Sequence, residues 1–153
     1  MRNVPQKHKR IMKIHIIREL SEAVRFQIDA LLHTLSRNAP ELSTERLQTV
    51  LQDESFTLFA AEGENGVISG MLTLTYCNTL SGRKYWIEDV VVDEAFRGKG
   101  AGRALVRAAV DYVKKKEELP VIYLTSNPSR ISARSLYVSE GFKEYETGVF
   151  RIK

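Results

Sequence analysis

The sequence has little cysteine, little proline and no long hydrophobic run. Among its 153 residues are four prolines and one cysteine, Cys77. A single thiol cannot form an intramolecular disulfide, which fits a reducing cytoplasm, and the apolar stretch around Cys77 predicts a buried structural thiol. No apolar run approaches the roughly 18 residues that a membrane-spanning helix needs. We therefore expect a cytoplasmic protein with no part in a membrane.

The net charge of the chain is close to zero outside its first 13 residues. The formal net charge of the whole chain is +4, but residues 1–13 carry five basic residues and no acidic one. Residues 14–153 therefore carry about −1 and lack the basic field of a nucleic-acid-binding protein. The first residues also lack the apolar block and cleavage site of a secretory signal. We expect a flexible basic tail over residues 1–10, one domain over residues 11–153, and no nucleic-acid partner.

Hydrophobic periodicity and turn residues divide the chain into strands and helices. Ser21 and Ser43 stand where the N-caps of the first two helices are expected. The predicted order is β-α-α-β-β-β-α-β-α-β-β, an α/β (α+β) fold with a central mixed sheet flanked by helices. The predicted helices cover 21–36, 43–53, a segment after the glycines at 98–102, and 132–140; the predicted strands cover 11–18, 56–62, 67–77, 85–92, 120–125, 142–145 and 149–152.

A glycine-rich turn follows the most apolar predicted strand and leads into an amphipathic helix. The first turn of a helix has unpaired backbone N–H groups and a partial positive charge, and glycines let an anion approach them closely. Gly98, Gly100 and Gly102 therefore predict a phosphate cradle. A dinucleotide fingerprint would need a third glycine at position 103, which is Arg103, and a P-loop would need Ser or Thr after Gly-Lys. Neither pattern is met.

Two blocks of the sequence resemble motifs of the GNAT acetyltransferase superfamily. The pattern R-x-x-G-x-G at 97–102 is similar to the pyrophosphate-binding motif, and A-x-x-L-Y-x-x-x-G-F at 133–142 is similar to the second block of that family. The resemblance implies the GNAT fold and an N-acetyltransferase that moves the acetyl group of acetyl-CoA to a primary amine of a small molecule or peptide by direct attack. It also implies a homodimer formed through terminal strands.

The same resemblance implies which residues bind acetyl-CoA. Amides near the end of the central strand would stabilise the charge on the carbonyl oxygen, and the glycine-rich turn would hold the diphosphate. Arg130 stands where many family members have Asn, so it would approach a CoA phosphate or else be solvated at a helix start. The implied cofactor-binding residues are Val90, Val91, Val92, Arg97, Gly98, Lys99, Gly100, Ala101, Gly102, Arg103, Asn127 and Arg130.

Two catalytic residues follow from the positions that match the family. Glu88 is the predicted general base, and strand alternation is expected to send Asp89 to the opposite face of the sheet. Tyr137 is the predicted acid that protonates the leaving sulfur, since a phenol is still protonated at neutral pH. The alternatives are a strand-end carboxylate paired with Arg83 or Lys84 for Glu88, and a core aromatic for Tyr137.

Other candidates have weaker support in the sequence. His15 and His33 are interpreted as structural or solvated histidines rather than bases. No spacing of Cys, His and carboxylates predicts a metal site. The segment 86–93 resembles that of glucosamine-6-phosphate N-acetyltransferases, which makes an amino sugar an alternative substrate. The likeness is local, because 124–127 lacks the acidic residue that those enzymes have. A non-catalytic module that senses acyl-CoA, or that uses the fold as an interaction surface, is the alternative function.

Overall fold

The computed structural model describes residues 12–152, which form one sheet and four helices. Short 3-10 turns follow β2 and β4. The strands are β1 (Lys13–Ile17), β2 (Phe56–Glu62), β3 (Ile68–Thr79), β4 (Gly82–Val92) and β5 (Val121–Leu124); the helices are α1 (Glu22–Leu35), α2 (Thr44–Gln52), α3 (Ala101–Lys114) and α4 (Ile131–Ser139).

The five strands lie in chain order from β1 to β5, and only the β4–β5 pair is parallel. A parallel pair needs a crossover connection, and α3 supplies it. The β4–β5 pairing begins at Lys84 with Val121 and ends at Ile87 with Leu124. Because β4 continues to Val92, its second half has no strand partner on the β5 side. The mixed sheet predicted from the sequence is confirmed.

The two faces of the sheet carry separate hydrophobic clusters. One cluster packs under α1 and α2 and includes Met71 and Val91, while the other packs under α3 and α4 and includes Leu72, Leu74 and residues of both helices. Leu105, Val106, Ala109 and Val113 of α3 are fully buried. Burying one large aliphatic side chain contributes about 1.5–3 kcal/mol, so these clusters dominate the stability of the fold.

Side-chain hydrogen bonds fix where the first two helices begin. The hydroxyl of Ser21 accepts a hydrogen bond from the amide of Val24 at 3.1 Å, and the hydroxyl of Ser43 accepts one from Arg46 at 3.1 Å. Each is an N-cap that satisfies an otherwise unpaired amide of the first turn, as the sequence predicts. Between the helices, buried Arg25 donates to the carbonyl of Leu42 at 2.8 Å, which ties the loop to α1.

The two strands predicted at 142–145 and 149–152 are wrong. Residues 142–152 contain no strand or helix, and all their large apolar side chains except the half-buried Phe142 stay in solvent: Phe150 is 97% exposed and Tyr145 is 69% exposed. A strand is stabilised by burying one of its faces, and apolar residues alone do not supply a partner for that face. The tail predicted at 1–10 lies outside the described residues.

The environment predicted for Cys77 is also wrong, because this cysteine is exposed. It lies where β3 and β4 extend as a hairpin beyond the core, opposite Lys84. An apolar strand sequence does not reveal how far the strand projects past the helices that cover it. None of the helices between residues 12 and 152 is long and apolar enough to cross a bilayer.

Candidate active site

The open edge of β4 faces a gap in the sheet. After the last β4–β5 pair the chain leaves β5 into a loop at 125–130, so residues 88–92 border an opening rather than a strand. The buried hydroxyl of Ser126, two residues after β5, has no hydrogen-bond partner in the described part of the chain. Such a group costs free energy unless something pairs with it, so its position beside the gap is consistent with a polar ligand there.

A β-bulge places Glu88 and Asp89 on the same face of the sheet. Thr73 lies opposite Glu88 and Met71 lies opposite Val91, so β4 has one more residue than β3 in this stretch. Asp89 has a φ of 48°, in the left-handed region. Its carboxylate accepts a hydrogen bond from the hydroxyl of Thr73 at 2.9 Å. The expectation that alternation separates the two carboxylates is therefore wrong, because a bulge reverses the alternation.

The position of Glu88 suits a base. It is the first residue of β4 beyond the last residue that pairs with β5, and its side chain is accessible. Loss of hydration in the surrounding protein raises the pKa of Glu88, and the negative charge of Asp89 raises it further. No hydrogen bond or ion pair joins Glu88 to Arg83 or Lys84 among the described residues. A carboxylate with a raised pKa accepts a proton more readily than an ordinary one.

Tyr137 reaches the same region from the other face of the sheet. It is 5% exposed in α4 and belongs to the cluster under α3 and α4. Its ring packs edge-on against Phe142, with centroids 6.3 Å apart. Burial raises the pKa of its phenol, although the nearby charge of Arg130 partly opposes this. The raised pKa means that the phenol is protonated at neutral pH, and no hydrogen bond to its hydroxyl is found within residues 12–152.

Arg130 crosses the gap and shows which backbone groups border it. Its guanidinium donates to the carbonyl of Val90 at 3.2 Å. By contrast, the amide of Asp93 donates to the carbonyl of Ser69 in β3 at 2.8 Å. Because backbone groups of successive residues point to opposite edges of a strand, Val90 and Val92 present their amides to the gap and Val91 does not. The predicted set of three amides is thereby reduced to two.

The glycine-rich turn between β4 and α3 has the shape of an anion cradle. Gly98 and Gly100 have φ values of 73° and 88°, and a Cβ added to either would meet no atom within 4 Å. These glycines are therefore needed for backbone conformation and not for packing. Among described residues, the amides of 98–103 have no hydrogen-bond acceptor, and the first intrahelical bond runs from Ala104 to Gly100. The turn fits a diphosphate, which such amides bind at the positive end of a helix.

Gly102 has a different role from its two neighbours. A Cβ at this position would lie 3.3 Å from Leu136 of α4 and 3.8 Å from Val92. The lack of a side chain therefore lets α3 approach α4 and the end of β4 closely. Ala101, the first residue of α3, is also buried.

The predicted cationic residues all have partners within the protein. Arg97 donates to the carbonyl of Val92 at 3.1 Å, and Lys99 donates to that of Ala95 at 2.9 Å. Arg103 pairs with the carboxylate of Glu140, which also accepts from Arg107 at 2.6 Å. Asn127 accepts from the amide of Ser129 at 2.9 Å. Arg97, Lys99 and Arg103 lie within or just after the turn, so contact with a phosphate there remains a prediction.

The sequence does not predict that Asp89 lies on the same face as Glu88, nor that Thr73 holds the carboxylate of Asp89. The available signal was a change of phase in β4: Tyr85 and Ile87 belong to the cluster under α3, and so do Val90 and Val92. Ile87 and Val90 have two residues between them instead of one, so their lying on the same face requires a bulge. The predictions for His15 and His33 stay untested as to function; His15 contacts Glu62 at 3.2 Å in β2, and His33 lies on α1.

Comparisons with known proteins agree with this geometry. The model of the acetyltransferase (GNAT) family matches residues 24–142. An uncharacterized N-acetyltransferase of Bacillus subtilis, YhdJ, is 29% identical over 111 residues, which cover 72% of this chain and 78% of that protein. A putative acetyltransferase from Agrobacterium tumefaciens is similar in structure, with 26% identity, a TM-score of 0.79 and coverage of 92% of this chain and 99% of the other.

An aminoglycoside N-acetyltransferase, AAC(6')-Iy, solved in complex with CoA, has the same fold. It shares 19% identity with a TM-score of 0.77, and 99% of each chain is covered. At this identity the likeness concerns the fold alone. The family model covers most of the chain, including the turn at 97–102 and the block at 133–142. The chain therefore belongs to the GNAT family of acetyltransferases.

Proposed function

We propose that this enzyme transfers the acetyl group of acetyl-CoA to a primary amine of a small molecule or peptide by direct attack, with Glu88 as general base and Tyr137 as general acid. The observation that carries the proposal is the placement of these two side chains. Glu88 is the first residue of β4 beyond its pairing with β5, and Tyr137 lies on the opposite face of the sheet. Tyr137 is close enough to Arg130, which donates to Val90, for that charge to oppose the rise that burial causes in its pKa. A thioester lying in the gap would have a proton acceptor on one side and a proton donor on the other.

The turn and the gap together suit acetyl-CoA. The unpaired amides of 98–103 would hold the diphosphate, and the pantetheine arm would lie along the open edge of β4, close to Ser126. The amides of Val90 and Val92 would then donate to the carbonyl oxygen as negative charge develops on it, which is where fixed donors stabilise a transition state most. When bound, acetyl-CoA supplies the activated acetyl group.

Glu88 would remove the proton that the acceptor amine must lose. An amine with the basicity of lysine, pKa about 10.4, is unprotonated only about once in 10³ molecules at neutral pH, a cost of roughly 4–5 kcal/mol. The raised pKa of Glu88 makes it a stronger base than a solvated carboxylate. It would take the proton directly or through one water before the nitrogen forms its bond to the carbonyl carbon.

Tyr137 would donate its proton to the sulfur as the carbon–sulfur bond breaks. The leaving group then departs as a neutral thiol rather than a thiolate. Its phenol is buried and protonated at neutral pH, and it has no competing hydrogen bond in residues 12–152. This division of roles explains why the two side chains need different environments: the base stays accessible, and the acid is buried.

The experiment is a thiol-release assay with acetyl-CoA, a panel of amines and mass spectrometry of the products. The panel contains alkylamines, diamines and polyamines, amino sugars including glucosamine 6-phosphate, aminoglycosides and peptides with free N-termini. Release of CoA together with a product heavier by one acetyl group supports the proposal. Binding of acetyl-CoA without acetylation of any amine in the panel refutes it and favours a sensor of acyl-CoA.

A further inference from the structure

Three aromatic side chains lie together at the β4–β5 end of the sheet. The rings of Trp86 and Tyr123 are stacked, with centroids 5.0 Å apart and an angle of 26° between their planes. The ring of Tyr145, from the segment that follows α4, lies edge-on to Tyr123 at 6.1 Å. We call these three residues the aromatic wall. Trp86 and Tyr123 are half-buried and Tyr145 is exposed, so ring surface remains accessible.

The aromatic wall is on the same face of the sheet as Glu88 and Asp89. Trp86 lies opposite Thr75, and Glu88 lies opposite Thr73, so all four side chains share the face that carries α1 and α2. Tyr123 lies beside Trp86 in the parallel pair. The bulge adds Asp89 to this face, as its hydrogen bond to Thr73 demonstrates. Two carboxylates and three aromatic rings therefore line one continuous strip.

This strip combines two kinds of group that attract cations. A carboxylate attracts an ammonium by charge, and the faces of Trp and Tyr rings attract one through the ring quadrupole. Residues two apart on one face of a strand are about 7 Å apart, which is the separation between Trp86 and Glu88 along β4. An extended chain of four or five carbons places its two terminal nitrogens about 6–8 Å apart.

We propose that the acceptor is a short aliphatic diamine that binds along this strip. One amine lies at Glu88 and Asp89 and receives the acetyl group, while the second remains protonated and lies over the aromatic wall. The inference rests on the proposed function, because it names the substrate of the same site. The nitrogen at Glu88 arrives as an ammonium and loses two protons in all: the first goes to that carboxylate before attack, and the second leaves as the amide forms and balances the proton that Tyr137 gives to the sulfur. The nitrogen gains the acetyl carbon as the carbon–sulfur bond breaks, and the second nitrogen keeps its charge throughout.

Lys84 limits how long the acceptor can be. It lies on β4 two residues before Trp86, on the same face, and is half-buried. A longer polyamine that followed the strip would bring a third ammonium close to the Lys84 ammonium, and like charges repel. The strip therefore favours a compound with two amines over one with three or four.

The test measures kcat/KM for a series of amines in the thiol-release assay. The series is 1,3-diaminopropane, 1,4-diaminobutane, 1,5-diaminopentane and 1,8-diaminooctane, with butylamine and pentylamine as controls of equal chain length that lack the second amine. We expect the diamines of four and five carbons to exceed the matched monoamines by about 10-fold, a factor set by a cation–π contact of about 1–2 kcal/mol. Spermine, glucosamine and phenethylamine are expected to fall below them.

Variants of the aromatic wall separate this inference from the proposed function. Trp86→Leu is expected to lower kcat/KM for the diamines by about 10-fold more than kcat/KM for butylamine, and Trp86→Phe, which keeps an aromatic face, is expected to restore most of the preference for diamines. Circular dichroism and the melting temperature establish that each variant is folded. Tyr123→Leu is the second variant, in case Trp86→Leu fails to fold.

Several outcomes would overturn the inference. Diamines and matched monoamines of equal kcat/KM, an equal loss on both in Trp86→Leu, or a clear preference for glucosamine or phenethylamine would each do so while leaving the proposed acetyl transfer intact. Absence of turnover with every amine would instead refute the proposed function, and this inference with it.

Discussion

Replacing Tyr137 by Phe removes one hydroxyl whose loss should affect chemistry and little else. Within the described residues this hydroxyl makes no hydrogen bond, and the ring packs in the core against Phe142. Phe keeps the ring and its packing. We expect the melting temperature and the affinity for CoA to stay near those of the parent enzyme, because neither depends on the hydroxyl.

The rate should fall much further than the stability. General acid catalysis contributes typically 10²–10⁴-fold to the rate, which is about 3–5 kcal/mol of transition-state stabilisation. We therefore expect kcat of Tyr137→Phe to fall by about 10²–10⁴-fold. Initial rates of thiol release at saturating acetyl-CoA measure kcat, calorimetric titration measures the affinity for CoA, and thermal melts measure stability.

Tyr85→Phe is the matched control because it should lower the stability of the fold and leave kcat unchanged. Tyr85 is 1% exposed, and its hydroxyl donates to Glu117 at 3.1 Å at the far end of the sheet. Loss of this hydrogen bond should cost about 1–3 kcal/mol of stability and leave kcat unchanged. The assignment of Tyr137 as the acid is refuted if Tyr137→Phe turns over as fast as the parent enzyme, or if its loss of rate merely parallels a loss of folded protein.

Three further predictions follow from the bulge, the turn and the helix contact. Asp89→Asn removes a negative charge and should therefore lower the pKa of Glu88, and Asn tolerates the positive φ at this position. Because only unprotonated Glu88 acts as base, the acidic limb of the pH profile of kcat/KM should move to lower pH. An acidic limb that does not move would argue against Glu88 as the base. Gly100→Ala places a side chain at a φ of 88° and should weaken CoA binding and cost about 1 kcal/mol of stability, as calorimetry and melts can measure. Gly102→Leu should lower stability by about 1–3 kcal/mol, because the added atoms collide with Leu136; an unchanged melting temperature would contradict the close approach of α3 and α4.

Much of the fold could be predicted because local physics decides it. Ser21 and Ser43 are the N-caps of α1 and α2, as the sequence predicts. Gly141, with a φ of 93°, follows the end of α4 in the position predicted for it. These features depend on a few neighbouring residues. The amphipathic helix predicted after the glycine-rich turn likewise requires only the helical period, and in α3 one face is buried through Leu105, Ala109 and Val113.

Features that depend on distant partners could not be predicted. The bulge at Asp89 arises from the pairing of β3 with β4, and the change of phase that it causes is weak in the sequence because Val90, Val91 and Val92 are all apolar although they lie on alternate faces. The gap beside β4 exists because β5 has only four residues, so its length depends on where the loop after it turns. The apolar pattern at 142–152 predicts two strands, but it does not show whether a partner is present to cover their buried face, and in the structure there is none among the described residues.

The candidate site was found in part, since its glycines and tyrosine lie in matched sequence blocks. The sequence does not show that Glu88 and Asp89 lie on the same face of the sheet, or that Trp86 and Tyr123 share that face. Those relations require the register of three strands.

The proposed acetyl transfer requires acetyl-CoA to bind along the gap with its diphosphate in the turn at 98–103. Calorimetric titration of acetyl-CoA, CoA and pantetheine tests this directly. We predict that acetyl-CoA and CoA bind with similar affinity, because both carry the diphosphate. Pantetheine lacks the nucleotide and the diphosphate, so it would lose two or more charge-assisted hydrogen bonds and should bind at least about 100-fold more weakly. Equal binding of pantetheine, or no heat with acetyl-CoA at millimolar concentration, would contradict this binding mode.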